Sequence, residues 1–350
     1  MPIRNSNTAT IYDVAKYANT SATTVSRVLN NPDYPVREEL RQRVLTATKQ
    51  LGYEPNQIAK SLKSNSTNDI GVIIPTISNP FYANVILGIE EEANKNNYNL
   101  FLCNTARNSL REKSYLHSLY QKQVKGVIIS SMNQSKDIFE EYQRKGMHLI
   151  LLDQAIEDIE CSMINFDCRK GAGMALDYLI KSGHRKIAFI STPLTRWTRT
   201  EIFEGYKKAL KDNGIPFDGK LVITVNSEKD GEEEGFEFLV GKMCARTLVE
   251  RNLDVTAVLS VNDMVAFGFI QEMNVLGKKV PDDISVIGFD DISFSSMFTP
   301  ALTTIRYPSY EVGMLAAKLL FEKMANPESF RLSLSLEPKL VIRNSVKQRT

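Results

Sequence analysis

Small polar side chains and one arginine share the outer face of a short predicted helix near the N-terminus. Its inner face repeats apolar residues at helical spacing, and these are Val25, Val28 and Leu29. Its outer face carries Ala22, Thr23, Ser26 and Arg27. Arginine can donate to guanine acceptors, and small side chains let a helix approach base edges in the DNA major groove. A generic helical hairpin would show the same periodicity, so the spacing alone leaves both interpretations open.

The residues before this helix predict another helix and a tight turn. Thr10 is a predicted N-cap, with Asp13 three residues later as a weak capping box. One face of the first helix is apolar and contains Ile11, Val14 and Ala15. In the turn, Asn19 adopts the left-handed conformation at low cost, and Ser21 caps the second helix. The pattern indicates a helix-turn-helix.

A second set of chemically capable side chains follows the apolar stretches farther along the chain. These residues are Ser78 to Tyr82, Asp153, Pro193 to Arg199, Asn262 with Asp263, and Asp290 with Asp291. Ligands of open α/β sheets bind outside the carboxyl ends of the strands, so these side chains can converge. Carboxylates and amides bind hydroxyl groups and aromatic rings cover apolar faces, which suits a sugar-like ligand. Structural roles remain open: residues 79–82 in helix capping and core packing, Trp197 in interface packing, Asp263 in helix capping and residues 290–291 in a solvated turn.

The elements that must position these residues alternate between strand and helix from Asp69 onward. Predicted strands cover 70–74, 100–102, 126–129, 148–152, 186–190, 221–224, 257–260 and 285–289. Predicted helices between them cover 81–95, 115–123, 139–145, 170–181, 202–213, 233–250 and 264–276. Apolar strands alternating with helices predict parallel sheets covered on both faces. So many elements indicate two similar subdomains with a cleft between them.

Composition excludes several classes of protein. The four cysteines form no C-x-x-C pair, so neither a disulfide scaffold nor a zinc site is expected. Scattered cysteines of this kind fit a protein of the reducing cytoplasm. No secretory signal, membrane span or catalytic motif is visible, and no cofactor is expected. Residues 1–63 carry nine Lys and Arg against five Asp and Glu, whereas the whole chain has a net charge of +2. A basic N-terminal segment is typical of phosphate binding, although a solvated charged face is equally compatible.

Longer motifs resemble one family over nearly the whole chain. The N-terminal motifs are TIYDVAKYANTSATTVSRVLN, LGYEPN and AKSLK; the later ones are SNPFY, SGHRKIAFI, EGYKKALKDNGIP, AVLSVNDMVAFG, VPDDISVIGFDD, PALTTIRYP and LVIRNS. Together they resemble the LacI/GalR family of bacterial transcription regulators. The resemblance implies an α/β protein with a helix-turn-helix headpiece and a core of two subdomains with doubly wound parallel sheets, similar to periplasmic sugar-binding proteins.

The resemblance also implies domain boundaries. The headpiece would span residues 1–54, the hinge helix and linker 55–68, the effector-binding and dimerisation core 69–343, and a tail 344–350. Within the core, subdomain 1 would comprise about 69–164 and 306–331, and subdomain 2 about 165–305 and 332–343. The chain would cross between subdomains near Asn165, Arg306 and Leu332.

The predicted DNA-contacting residues lie in the headpiece and hinge. Ala22, Thr23 and Arg27 are expected at bases, and Ser21 and Ser26 at phosphates. By resemblance, Leu62 wedges into the minor groove while Ala59 and Lys63 line it. The full predicted set is Thr10, Tyr12, Ser21, Ala22, Thr23, Ser26, Arg27, Asn30, Asn56, Ala59, Leu62 and Lys63.

The predicted effector-binding residues lie at the cleft. They are Phe81, Tyr82, Ser130, Asp153, Trp197, Arg199, Asn262 and Asp290. Many family members carry an effector-binding arginine where this chain has Ile202, so the usual sugar contacts cannot be copied across. Arg196 and Arg199 flank Trp197 and are suited to a carboxylate or phosphate, which predicts an anionic carbohydrate; solvation, or pairing with Glu201 and Glu204, is the alternative.

The implied function is a repressor that binds a palindromic DNA operator as a homodimer under the control of a carbohydrate-like effector. The tail lacks the heptad helix by which the lactose repressor tetramerises. A second departure is Arg37, where the family usually has a Ser or Thr cap. A co-regulator protein in place of a small effector stays open. A transport solute-binding protein and a sugar-metabolising enzyme are both disfavoured, because a headpiece is present and a catalytic set is not visible.

Overall fold

The described residues form two compact units. The computed structural model describes residues 9–31, 33–54, 67–133, 135–156, 158–225 and 235–349. The units are residues 1–67, called the headpiece unit here, and residues 68–350, called the core. Most of the predicted hinge, residues 55–66, lies outside the described residues.

Three helices make up the described headpiece unit: α1 (Ile11–Tyr17), α2 (Ala22–Asn30) and α3 (Glu38–Gln50). Their apolar faces meet in one small core formed by Val14, Ala15, Ala18, Val25, Val28, Val44 and Ala47. Arg37 precedes α3 and makes no side-chain capping bond, as its departure from the family pattern predicts. The predicted helix-turn-helix is confirmed.

The core alternates strands and helices. In chain order they are β1 (Asp69–Ile74), α4 (Pro80–Lys95), β2 (Asn99–Asn104), α5 (Ser109–Gln121), β3 (Gly126–Ser130), α6 (Asp137–Arg144), β4 (His148–Leu152), β5 (Ser162–Phe166), α7 (Cys168–Lys181), β6 (Ile187–Ser191), α8 (Trp197–Asp212), β7 (Val222–Thr224), α9 (Phe236–Glu250), β8 (Ala257–Ser260), α10 (Asp263–Val275), β9 (Ser285–Asp290), β10 (Thr303–Arg306), α11 (Ser309–Ala325), β11 (Ser333–Leu336) and β12 (Lys339–Val341). Short 3-10 helices lie at Gly219–Leu221 and Ser293–Ser296.

Two six-stranded sheets define the two subdomains. Sheet 1 has the order β11-β5-β4-β3-β1-β2, and sheet 2 has the order β12-β10-β9-β8-β6-β7. Every pairing is parallel except that of β12, which runs antiparallel to β10. The inner parallel strands are buried on both faces, as their continuous apolar sequences predict, whereas the edge strand β2 is largely exposed. The predicted fold class is confirmed.

The chain passes between the two sheets three times. It crosses after β5, after β10 and between β11 and β12. The first two crossings fall within about two residues of Asn165 and Arg306. The third comes at residues 337–338 and not near Leu332, because Ser333–Leu336 pairs with β5 in sheet 1 before the chain leaves.

Glycines let the helices that cover sheet 1 pack closely. A Cβ on Gly88 of α4 would lie 2.0 Å from the Tyr310 carbonyl oxygen of α11. A Cβ on Gly313 of α11 would lie 2.0 Å from the Val85 carbonyl oxygen of α4. Backbone contact therefore replaces side-chain contact at this crossing. Among the described helices, none has the length and apolar character that a membrane span requires.

Candidate DNA-binding surface and ligand cleft

Local hydrogen bonds set the starts of the two helices of the helix-turn-helix. The Asp13 amide donates to Thr10 Oγ1 (3.4 Å), and the Thr10 amide donates to Asp13 Oδ2 (2.8 Å), which completes a capping box. Asn19 has a φ of 48°, the left-handed conformation that the turn requires. The Thr24 amide then donates to Ser21 Oγ (3.0 Å). Each of these roles was predicted from residue types alone.

The outer face of α2 is open to solvent over most of its predicted contact residues. Thr23, Arg27 and Asn30 are exposed, and Tyr12 of α1 is 74 % exposed. The Asn30 amide nitrogen donates to the Ser26 carbonyl oxygen (2.8 Å), so Asn30 folds back along the helix. These exposed side chains offer donors that can reach a ligand outside the helix.

Besides Asn30, further predicted DNA-contacting residues have structural partners. Ala22 is half-buried against the headpiece core, so only part of its methyl group faces outward. The Thr10 hydroxyl donates to Asp13 Oδ2 (2.6 Å), and the Ser21 hydroxyl lies 2.9 Å from Thr24 Oγ1. The predicted residues Asn56, Ala59, Leu62 and Lys63 lie outside the described residues.

A tyrosine that sequence reasoning missed contacts the predicted base-reading arginine. Arg27 Nη1 donates to the Tyr34 hydroxyl (2.8 Å), and the Arg27 guanidinium carbon lies 5.4 Å from the Tyr34 ring centroid. Tyr34 is half-buried and packs against the headpiece core. Tyr34 lies four residues beyond the end of α2, so the contact does not arise from spacing along one helix.

In the core, strand ends from sheet 1 bring one predicted set of cleft residues together. Ser130 ends β3, and Asp153 follows β4 with a φ of 54°. Ser130 Oγ donates to Asp153 Oδ2 (3.5 Å) and lies 3.4 Å from the Tyr82 hydroxyl of α4. Burial raises the pKa of Asp153, although Arg196 and Arg199 act in the opposite direction. The Asp153 carboxylate has few internal donors and can accept hydrogen bonds from a ligand.

Arg196, which the predicted set omitted, crosses the cleft from subdomain 2. Its Nη1 donates to the Tyr82 hydroxyl (2.8 Å) and its Nη2 to Ser130 Oγ (3.1 Å). Burial opposes its charge, but Tyr82 and Asp153 outweigh burial and raise the pKa of Arg196 further. Arg196 therefore stays charged and joins the two subdomains.

Arg199 has a different partner from those considered in the sequence. Its Nη2 donates to Glu237 Oε1 (3.1 Å), and Arg107 Nη2 lies 3.4 Å from the same oxygen. The Asn79 amide nitrogen donates to Glu237 Oε2 (2.9 Å). Burial alone would raise the pKa of Glu237, but Arg107 and Arg199 outweigh it and the pKa is lowered.

The expected alternative for Arg199, pairing with Glu201 and Glu204, is wrong. Glu201 instead pairs with Arg169, whose Nη2 donates to Oε1 over 2.9 Å. Glu204 pairs with Lys207 one turn along the same helix (2.6 Å). Glu237 lies far from these residues in the sequence, and no local spacing connects it with Arg199.

Asn262 and Asp290 contribute the polar groups of subdomain 2. Asn262 Oδ1 accepts from the Val265 amide (2.9 Å), so Asn262 caps α10 and the expected cap at Asp263 is wrong. Asn262 Nδ2 is buried and has no hydrogen-bond partner among the described residues. Asp290 ends β9 with a φ of 107°, and burial together with Asp263 raises the pKa of Asp290 well above its ordinary value.

A hydrogen-bonded acid supports the loop that follows Asp290. Asp263 Oδ2 accepts from the Ile292 amide (3.0 Å) and the Ser295 hydroxyl (2.6 Å). Its Oδ1 accepts from the Thr304 hydroxyl (2.5 Å). Asp263 is fully buried, and burial raises its pKa to about 7 despite these donors. The loop is thus tied to α10 through one carboxyl group.

Aromatic rings line the inner part of the cleft. The Phe81 ring meets Tyr82 edge-on (5.2 Å between centroids) and Phe166 edge-on (5.9 Å). Phe166 in turn stacks on Tyr307 (4.2 Å), so these two rings stand at the first and second crossings. Trp197 is half-buried beside Gln154 and Ile156, where a pocket of about 500 Å³ opens. Phe166 was missed because it ends β5, and Tyr307 because it directly follows β10; neither strand was predicted from the sequence.

Nothing among the described residues resembles a metal centre. No group of three or more His, Cys, Asp or Glu side chains stands close enough to hold a metal ion there. The four cysteines are free and buried, and burial raises the pKa of Cys168 and of Cys244 to about 12.

Two parts of the chain match protein-family models. Residues 10–56 match the bacterial regulatory proteins of the lacI family. Residues 67–339 match the periplasmic binding proteins and sugar-binding domain of the LacI family. A helix-turn-helix unit and a two-sheet ligand core are thus found in one chain, which defines a DNA-binding regulator with an effector-binding core.

Whole-length relatives agree with that class. The HTH-type transcriptional repressor PurR of Mannheimia succiniciproducens is 35% identical over 343 residues, which cover 97% of this chain and 99% of the relative. The lac repressor dimer bound to operator and the anti-inducer ONPF has a TM-score of 0.84 at 25% identity, covering 97% and 99% of the two chains. A LacI family regulator from Enterococcus faecium with bound ribose has a TM-score of 0.71 at 30% identity, covering 81% and 100%.

The chain belongs to the LacI family of bacterial regulatory proteins. It is a DNA-binding transcriptional repressor with an effector-binding core. The relatives are repressors and regulators, which confirms the prediction that the protein is not an enzyme.

Proposed function

We propose that the protein represses genes of carbohydrate use by binding a near-palindromic operator as a homodimer, under the control of a small sugar-like effector. Repressors act on DNA, so the site of action is the cytoplasm. Two headpieces would read two half-sites, because the two-fold symmetry of a dimer is mirrored in its DNA. In this proposal the headpiece spans residues 1–54, the hinge 55–68 and the core 69–343.

On the DNA side, the exposed outer face of α2 carries the proposal. Thr23 and Arg27 are exposed, and Arg27 makes no ion pair with a described residue. An uncompensated guanidinium is suited to guanine O6 and N7 in the major groove. Tyr12, Ser21, Ser26 and Asn30 are proposed at or near phosphates and base edges, with Ala22 as a partial contact to a thymine methyl group. The minor-groove role of Leu62, with Ala59 and Lys63, rests on the family resemblance.

On the effector side, two carboxyl groups with few internal donors support a polyhydroxylated ligand. Asp153 receives one long bond from Ser130, and no hydrogen bond to the Asp290 side chain is formed by a described residue. Sugar hydroxyls would donate to both acids, while Phe81 would cover an apolar face of the ring. The Enterococcus faecium regulator has ribose bound, and the transcriptional regulator CelR forms a complex with cellobiose.

The existing contacts of the cleft arginines favour a neutral sugar over the anionic one. Among the described residues, three arginines meet three carboxyl groups at the cleft: Arg107, Arg196, Arg199, Asp153, Glu237 and Asp290. Arg199 is paired with Glu237, which already neutralises its charge. An anionic effector would have to be read by Arg196, which makes no ion pair with a described residue and already contacts Tyr82 and Ser130.

Exposed apolar side chains at one edge of sheet 1 support the proposal that the chain forms a homodimer. β2 is the edge strand, and its Phe101 and Leu102 are exposed together with Leu87 of α4. Exposed apolar edges of this kind normally mark an interface. Sedimentation velocity would report a dimer, and Leu102→Asp should shift the protein towards the monomer. Leu332→Asp, an exposed leucine on another part of the core, is the matched control.

The experiment for the function selects operators from random duplex DNA with the full chain. We expect enrichment of one near-palindromic sequence, and no enrichment would contradict the proposal. Ribose and ribose 5-phosphate are then titrated by calorimetry with and without that operator. A coupling of about 1–3 kcal/mol between sugar and operator is expected. Asp290→Asn should weaken sugar binding, whereas Asp282→Asn on the surface should not.

A further inference from the structure

Arg27 is the one long cationic side chain on the outer face of α2 and is held by a single residue. Arg27 Nη1 donates to the Tyr34 hydroxyl (2.8 Å), and the guanidinium also lies against the Tyr34 ring (5.4 Å to the centroid). An arginine on an exposed helix face has many rotamers available to it. Two contacts from one tyrosine restrict those rotamers before any DNA is bound.

Tyr34 is itself fixed by the loop between α2 and α3. Its amide donates to the Asn31 carbonyl oxygen (3.1 Å), and its own carbonyl oxygen accepts from Arg41 Nη2 (2.7 Å). The ring packs against the headpiece core and is half-buried. The hydroxyl therefore stands at a defined position relative to both α2 and α3.

The contact leaves Arg27 able to bind. A guanidinium has five N–H groups, and the tyrosine hydroxyl accepts from one of them. Arg27 makes no ion pair with a described residue, so its charge is not neutralised within the headpiece unit. Bidentate recognition of guanine needs two further N–H groups in one plane, and these remain available.

We propose that Tyr34 is a positioning residue that sets which base pair Arg27 reads. The inference rests on the proposed role of Arg27 as a base reader. The Tyr34 hydroxyl and ring fix the plane of the guanidinium, so that its free edge faces one base pair in each half-site. Without that support, Arg27 samples other rotamers and discriminates less sharply between bases.

The test is operator selection from random duplex DNA with the full chain and four variants. Tyr34→Phe removes only the hydroxyl, Tyr34→Ala removes the ring as well, and Arg27→Ala identifies the base pair that depends on Arg27. Tyr53→Phe is the matched control, because Tyr53 is also half-buried against the headpiece core. Thermal unfolding and affinity for random duplex DNA are measured for each variant.

At the base pair that Arg27→Ala identifies, Tyr34→Phe should lower the preference about three- to tenfold, the loss expected for one hydrogen bond. Tyr34→Ala should lower it at least as much, and Tyr53→Phe should leave it unchanged. Affinity for random DNA and the melting temperature should stay the same in Tyr34→Phe, which a general loss of headpiece structure would not allow.

Each contrary result has a distinct meaning. An unchanged preference in Tyr34→Phe and Tyr34→Ala, with a changed one in Arg27→Ala, overturns the positioning role alone. A sharper preference in Tyr34→Phe also overturns it, because Tyr34 would then hold Arg27 away from the bases. No change in Arg27→Ala removes both the base-reading role and the inference built on it.

Discussion

The headpiece and the ligand cleft both rely on arginine, but they place it in opposite surroundings. Arg27 is exposed on α2 and has a neutral tyrosine as its partner. Arg199 is 11 % exposed in the cleft and is bound to the carboxylate of Glu237. An exposed cation can remain uncompensated because water solvates it, whereas a buried cation is costly unless an opposite charge or hydrogen bonds compensate it. Arg27 is thus available to a polyanion, whereas the charge of Arg199 is neutralised within the core.

Salt concentration should give the largest difference between the two regions, because it should change DNA affinity far more than the stability of the core. A dimer that neutralises about six to ten phosphates loses about 10³- to 10⁵-fold in DNA affinity between about 50 and 200 mM salt. The buried ion pairs of the core are screened far less, so the urea midpoint of the core should hardly change over the same range. Fluorescence anisotropy with operator DNA and urea unfolding measure the two. A DNA affinity that did not change with salt concentration would contradict the difference between the headpiece and the core.

Removing the carboxylate of Glu237 should have the next largest effect, a loss in the free energy of unfolding. Glu237→Ala leaves Arg107 and Arg199 buried without a counter-charge and takes away the partner of Asn79. Loss of one partner of a buried pair typically costs about 3–5 kcal/mol in the free energy of unfolding. Urea denaturation followed by circular dichroism gives that value.

The matched control for this variant is Glu201→Ala. Glu201 pairs with Arg169, whose side chain is 57 % exposed, so the expected loss is only about 0–1 kcal/mol. Equal losses in Glu201→Ala and Glu237→Ala would show that burial does not distinguish the two pairs.

Arg27→Ala tests the exposed side of the comparison. It should relax specificity at one base pair in each half-site and cost about 1–3 kcal/mol there. Competition binding with operators altered at single positions measures the effect. Arg43→Ala, which removes the same charge from the exposed side of α3, should leave the preference among bases intact. If Arg27→Ala weakens operator and random DNA equally, Arg27 is not a base reader.

Asp263 represents a third arrangement, a buried acid that has donors but no cation. Its pKa is raised to about 7 in the fold, so the native protein binds a proton more tightly than the unfolded chain does. Its contribution to stability is therefore complete near pH 4 and is lost as the pH rises towards 7, by about 1 kcal/mol for each unit. Urea unfolding between pH 5 and 7 should show that slope.

Asp263→Asn supplies the comparison for the pH measurement. The variant cannot titrate at this position, so its stability should depend less on pH over the same range, although it is lower overall because three donors lose their carboxylate. Parallel pH profiles for the two proteins would assign the slope to another group.

Local signals in the sequence predicted much of the headpiece and the alternation of strands and helices in the core. Thr10, Asn19 and Ser21 act through bonds within three residues or through their own backbone angle, so their residue types suffice. Strand ends such as Ser130 and Asp153 were also predicted, because parallel strands place their carboxyl ends at one edge. The strands that were missed, β5 and β10 to β12, are short and are defined by pairing with distant strands. The helix α11 was missed as well, although it is 17 residues long.

The sequence by itself determined the family, the helix-turn-helix and the type of core, because apolar periodicity and helix capping depend only on residues that are close together in the chain. Only the tertiary structure decided which of two arginines crosses the cleft. Arg196 and Arg199 are three residues apart, but Arg196 reaches Tyr82 while Arg199 faces Glu237. Glu237 also binds Asn79 from 158 positions away. Such partners are set by how two sheets close on each other, and this closure leaves no period or motif in the sequence.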